Sequence, residues 1–173
     1  MSVNAYLPVY TWPRHKQMLT SVCNDVEKID ERIKLLANLM HKTMVRLKGV
    51  GLAGPQVGVS RRIITLNVSK PIVLINPVVL DEHGEQTVCE GCLSLPGYFT
   101  EMTVPKTISV KYTTLEGETV EETFSNLEAA CLLHEIDHLD GKLISDDLTE
   151  DQLADLENRV EAIVSKNPNY YAV

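Results

Sequence analysis

The chain has 173 residues, 44% of them hydrophobic and 23% charged, which is enough for one domain with a core of its own. Its 24 acidic residues against 16 basic ones leave a net charge of -8, which argues against a nucleic-acid-binding surface. No apolar run is long enough to span a membrane and no signal-peptide pattern opens the chain, so Cys23, Cys89, Cys92 and Cys131 read as reduced thiols of a cytoplasmic protein.

Residues 1–24 form an arm with Pro8, Trp12 and Pro13 and no strong periodicity. From Asp25 to Leu47 the set Ile29, Ile33, Leu36, Met40, Met44 and Leu47 runs at helical spacing and predicts an amphipathic helix. Lys48–Gly58 is too rich in glycine to hold a helix and reads as a turn that leaves little side chain to block a close approach. It has neither a P-loop ending nor a dinucleotide-fold spacing, so phosphate binding is not expected there. Strands are predicted over Arg62–Val68, Ile72–Leu80 (with Pro77 marking an edge or bulge), Glu85–Leu95, Thr107–Thr114 and Glu118–Phe124. A last helix is expected over residues 148–165, and a loose tail after Asn167.

The chemistry concentrates in Ser125–Gly141. Ser125 and Glu128 make a capping-box pattern that predicts Ser125 as N-cap, and Gly141 supplies the stop. At about 100° per residue, Leu127, Ala130, Cys131, His134 and His138 form one stripe. Ala129, Leu132, Leu133, Ile136 and Leu139 form another, so the helix is expected to be buried on both sides. His134-Glu135-x-x-His138 points two imidazoles the same way and sets Glu135 beside them, where a carboxylate can take a proton from an activated water. The bland alternative is a core helix whose histidines satisfy backbone carbonyls. A third ligand is needed, and Cys92 is the best candidate because thiolate joins imidazole readily on zinc or iron. Glu157 is the runner-up. Cys89 and Cys92 also form a C-x-x-C, but no second such pair exists for a zinc ribbon, and a strand sets the two on opposite faces. An extended H-E-x-x-H-x-x-G-x-x-H pattern fails at Ile144. Several strands around one buried helix predict an α+β fold: a single domain of antiparallel β-sheets packed on the central helix, with a second helix at the end.

Three stretches together, Gly49-Val50-Gly51-Leu52-Ala53-Gly54-Pro55-Gln56, Glu90-Gly91-Cys92-Leu93-Ser94 and His134-Glu135-Ile136-Asp137-His138-Leu139-Asp140-Gly141, resemble the signature motifs of the peptide deformylase family in order and spacing. The resemblance implies a hydrolase that removes the formyl group from N-formyl-methionyl nascent polypeptides and releases formate. It implies one divalent metal ion on Cys92, His134 and His138, with ferrous iron (Fe2+) as the native ion and Zn2+, Ni2+ or Co2+ as alternatives. It also implies Glu135 as the proton carrier, with the Gln56 side chain and the Leu93 backbone N–H as oxyanion donors. Val50, Leu127, Ala130 and Cys131 are the expected lining of the methionine pocket. Gly51 and Gly91 are expected to let an extended peptide lie against the backbone.

The chain departs from the family pattern at Gly54 and Leu133, and over residues 97–103, where a usual arginine is missing. Its last helix is acidic (Glu150, Asp151, Asp155, Glu157, Glu161), so the ribosome docking of some relatives is not expected. A monomer without nucleic-acid or membrane partners is expected. The competing readings are an H-E-x-x-H metallopeptidase and an inactive, metal-stabilised relative.

Overall fold

Runs of β-branched residues broken by turns dominate the middle of the chain, and they build most of its sheet. The computed structural model describes residues 5–172. Its helices are α1 (Lys16–Leu19), α2 (Glu31–Arg46), α3 (Leu127–Leu139) and α4 (Glu150–Lys166). Its strands are β1 (Gly51–Ala53), β2 (Ile63–Asn67), β3 (Pro71–His83), β4 (Gln86–Cys92), β5 (Leu95–Val104), β6 (Thr107–Thr113) and β7 (Thr119–Ser125). A five-stranded antiparallel sheet has the order β1-β2-β3-β6-β7, and β4 and β5 pair as a separate antiparallel hairpin.

Strand alternation sorts the core into two sides of the larger sheet. Ile64 and Leu66 of β2 join Leu74, Ile108, Val110 and Phe124 against Ala129, Leu132, Ile136 and Leu139 of α3. Ile63 of the same strand faces the other way, with Leu52 and Ile75, against Ala37, Met40 and Met44 of α2. A third cluster joins Val9, Trp12 and Leu19 to Cys92, Leu95 and the α4 residues Leu156, Val160 and Val164. Helix α3 is therefore held from several directions, and Leu132 in it is fully buried. Truncating such a leucine to alanine costs about 2–5 kcal/mol. This is the α+β arrangement of antiparallel sheets around a central helix.

Several boundaries differ from the sequence reading. Ser125 is not the N-cap of α3: it is the last residue of β7, paired with Thr107, and Asn126 with φ +55° takes the cap position. Glu128 turns outward and accepts a hydrogen bond from Ser69 Oγ at 2.6 Å. Leu127, expected on a buried stripe, is 55% exposed. The stop at Gly141 holds, with φ +75° and a bond from Lys142 N to Asp137 O that closes the last turn. Helix α2 starts at Glu31 rather than near Asp25, because the Asp30 side chain accepts from the N–H groups of Arg32 and Ile33. Of the two readings of Pro77, the bulge holds and the edge does not: it lies in an interior strand, at a register shift between Ile75 and Val78.

The glycine-rich turn is a built element, with β1 followed by a 3-10 turn over Gly54–Val57, all of it buried. Strand β5 was not foreseen beyond its first residue. Helix α4 starts two residues later than expected and is capped by Thr149 with Gln152. The described part of the segment after it, up to Ala172, is not loose; Val173 lies outside the described residues. Val9 and Tyr171 form a parallel bridge, and Tyr171 is buried. Of the arm over residues 1–24, Met1–Asn4 lie outside the described residues.

Candidate metal centre and active site

Helix α3 carries His134 and His138 one turn apart, and their ring centroids lie 4.9 Å from each other. Strand β4 ends beside them at Cys92. Donor atoms of Cys92, His134 and His138 all fall within 4.8 Å of one another, and Cys92 Sγ lies 3.2 Å from His138 Nε2. Cys89 is exposed and Glu157 lies exposed on α4, so neither belongs to this cluster. Burial alone would push the Cys92 thiol up, but the imidazoles of His138 and His134 outweigh it and hold it well below the ordinary thiol range. Burial likewise works against charged His134, and the Cys92 sulfur and Glu90 carboxylate overcome that and raise it.

The donor set fits a metal ion. It joins one thiolate to two imidazoles, the combination that softer divalent ions favour. The protons that would otherwise balance the pair are those that metal binding releases. Nearby, Glu135 Oε2 and His138 Nδ1 are buried without a hydrogen-bond partner among the described residues. Burial lifts the Glu135 carboxyl to about 7, against the pull of both histidines. A carboxyl at that level suits a group that must take and return a proton near neutral pH.

The surrounding hydrogen bonds place the other candidates. Gln56 is 1% exposed; its Oε1 accepts from Ala53 N at 2.8 Å, which directs Nε2 toward Ser94 Oγ at 3.3 Å and Cys92 Sγ at 3.5 Å. Leu93 occupies the tight turn between β4 and β5. Glu90 was missed by the sequence reading, and it matters: its Oε2 meets His134 Nδ1 at 2.9 Å. The signal was available, because residues two apart on a strand share a face, so Glu90 accompanies Cys92. Ser94, fully buried, was also missed.

A cavity of about 400 Å³ opens onto this centre. His134, Glu135, Cys92 and Leu93 line it, as do Val50, Gly51, Gly91, Leu127, Ala130 and Cys131. Every residue expected at the methionine pocket therefore reaches one space. The two glycines also have a reason internal to the fold. A Cβ at Gly51 would collide with the Glu135 carboxylate, and one at Gly91 would stand 2.6 Å from the Phe99 ring.

A family model described as polypeptide deformylase matches residues 7–154. The chain belongs to the polypeptide deformylase family. Among deformylase relatives, the peptide deformylase of Alkalilimnicola ehrlichii is 38% identical over 161 residues, covering 90% of this chain and 88% of that protein. That of Acetivibrio thermocellus is 44% identical over 131 residues, covering 75% and 77%. The crystal structure of peptide deformylase from Ehrlichia chaffeensis superimposes with a TM-score of 0.87 at 31% identity, covering 94% of this chain and 99% of that one. Its complex with actinonin gives 0.86 at 33% identity, with coverage of 92% and 98%. The three deformylase motifs are those that supply Gln56, Cys92 and the His134–His138 pair to one site.

Proposed function

We propose that the chain removes the formyl group from N-formyl-methionyl peptides by metal-dependent hydrolysis. The carrying observation is that the Cys92, His134 and His138 donors converge within 4.8 Å beside Glu135 Oε2, which has no hydrogen-bond partner among the described residues, and that His134, Glu135 and Cys92 line a cavity of about 400 Å³. Three protein ligands are the number that leaves a catalytic ion an open position, whereas a structural zinc site takes four. A divalent ion held there supplies Lewis-acid polarisation and makes a water more acidic.

Glu135 accepts a proton from the attacking water and hands it to the departing amine. The water oxygen adds to the formyl carbon, the C–N bond breaks, and formate and a free amino terminus leave. Gln56 Nε2, oriented through the bond to Ala53, and the Leu93 N–H donate to the oxyanion that develops. Val50, Leu127, Ala130 and Cys131 take the methionine side chain. Beside them β1, an edge strand, offers its free side to an extended peptide.

The same reading assigns ferrous iron as the native ion on the resemblance to the family, while the softness of the donor set suits zinc, with nickel or cobalt as further substitutes. It treats the chain as one monomeric catalytic domain. Four free cysteines among the described residues support a reducing, cytoplasmic compartment, and no helix among those residues is long and apolar enough to cross a membrane. The exposed acidic residues of α4 support the absence of ribosome docking through that helix.

The test compares formyl-Met-Ala-Ser, acetyl-Met-Ala-Ser and internally cleavable peptides with metal-loaded protein. Formate and free amine should appear in equal amounts from the formyl peptide and far more slowly from the acetyl one. Efficient internal cleavage would support a peptidase instead, and no turnover at all an inactive relative.

A further inference from the structure

Tyr171 stands beyond residues 7–154, the stretch that matches the family, yet it lines the same cavity as His134 and Glu135. It is fixed there by named contacts. Val9 N donates to Tyr170 O and Ala172 N donates to Val9 O, both at 2.9 Å. The strand segment that holds it runs on into the site, where Tyr10 N donates to Gln56 O at 2.7 Å and Trp12 N to Ser94 O at 3.1 Å. On the other side, the Arg46 guanidinium lies 4.6 Å from the Tyr170 ring centroid and 4.2 Å from that of Tyr6. This cation–π stack anchors both segments to the last turn of α2.

The position of Tyr171 in the cavity differs from that of the methionine pocket. Tyr171 belongs to the cluster of Leu95, Leu156, Val160 and Val164, against which Leu47, Leu93 and Tyr98 also pack. Of the residues assigned to methionine, Leu127, Ala130 and Cys131 lie on α3 and Val50 just before β1. A peptide whose first side chain sits against α3 must continue along the rest of the cavity, where Tyr171, 8% exposed, presents the edge of a ring held in place by its backbone, at little entropic cost.

We propose that Tyr171 is a specificity-determining residue whose ring contacts the peptide residues following the formyl-methionine. This rests on the function proposed above. The experiment compares wild type with Tyr171→Leu, which keeps apolar bulk in the core, Tyr171→Ala, and Tyr171→Phe, which keeps the ring. Each is given formyl-Met-amide and formyl-Met-Ala-Ser, and the affinity of the product peptide Met-Ala-Ser is measured by calorimetry.

For Tyr171→Leu, KM for the tripeptide should rise roughly five- to tenfold, with Met-Ala-Ser binding weakened in parallel. Values of kcat, KM for formyl-Met-amide and metal content should stay within about twofold, and Tyr171→Phe should match wild type. Tyr171→Ala should show the same selectivity if its melting temperature shows that it folds. Equal losses on both substrates, a loss confined to kcat, or unchanged tripeptide binding in Tyr171→Leu would overturn the assignment. Failure of wild type to release formate would instead remove the function, while the calorimetry still reads whether Tyr171 meets a peptide.

Discussion

His134 Nδ1 lies 2.9 Å from Glu90 Oε2, with only 9% and 10% of the two side chains exposed. This pair fixes the imidazole's orientation and leaves Nε2 as the nitrogen free for an ion. Partners of this kind, one step behind the ligands, are worth about 10- to 100-fold in metal affinity. Glu90→Ala should therefore weaken metal binding by that factor while leaving all three ligands in place. Competition against a chelator measures it, and an unchanged dissociation constant would show that Glu90 does not orient the ligand.

Gly51 lies against Glu135, the proposed proton carrier, rather than against one of the three converging donors. Any Cβ there would press on the Glu135 carboxylate, so Gly51→Ala should displace it. Displacement of a reacting group by about an ångström costs on the order of 10²-fold in rate. The expected outcome is a kcat loss of that size with metal content intact, read by paired kinetics and metal analysis. Normal kcat would mean that the carboxylate has room to move without consequence.

How much of this was legible depended on whether the signal was local. The spacing of His134 and His138 and the stop at Gly141 are properties of one helix, and both hold. The start of α3 was misread because Ser125 serves β7, and pairing with Thr107 outweighs its capping preference. Strand β5 was hidden because Phe99, 69% exposed, interrupts the apolar-polar alternation that Tyr98, Met102 and Val104 would otherwise show. The bridge between Val9 and Tyr171 leaves no periodic trace, since each partner contributes one residue from a distant part of the chain. At the site, residue type and spacing pointed to Cys92, His134 and His138, whose donor atoms the fold brings together. The supporting contacts of Glu90 and Ser94 required the fold.

The two cysteines that line the cavity without belonging to the donor set should differ in reactivity. Burial, helped by the neighbouring Glu135 carboxylate, pushes the Cys131 thiol up to about 11. A raised pKa keeps it protonated, and so slow to alkylate, throughout the neutral range; thiolate accumulates only as pH approaches that value. Cys89 is exposed. In metal-loaded protein at pH 7.5, iodoacetamide should label Cys89 well before Cys131, with the gap narrowing as pH rises. Mass spectrometry of the fragments decides it, and preferential labelling of Cys131 would contradict the assigned environment.

The division of labour at the centre is tested most directly by metal content and formate release measured on the same sample of Glu135→Ala. Glu135 is 4% exposed and lines the cavity, but it is not one of the three converging donors. The variant should hold about one equivalent of metal, as wild type does, and lose roughly 10²–10⁴-fold in kcat on formyl-Met-Ala-Ser, the span attributed to general acid–base catalysis. Retention of near-normal kcat, or loss of the metal together with the activity, would contradict the assignment of Cys92, His134 and His138 as ligands and Glu135 as proton carrier.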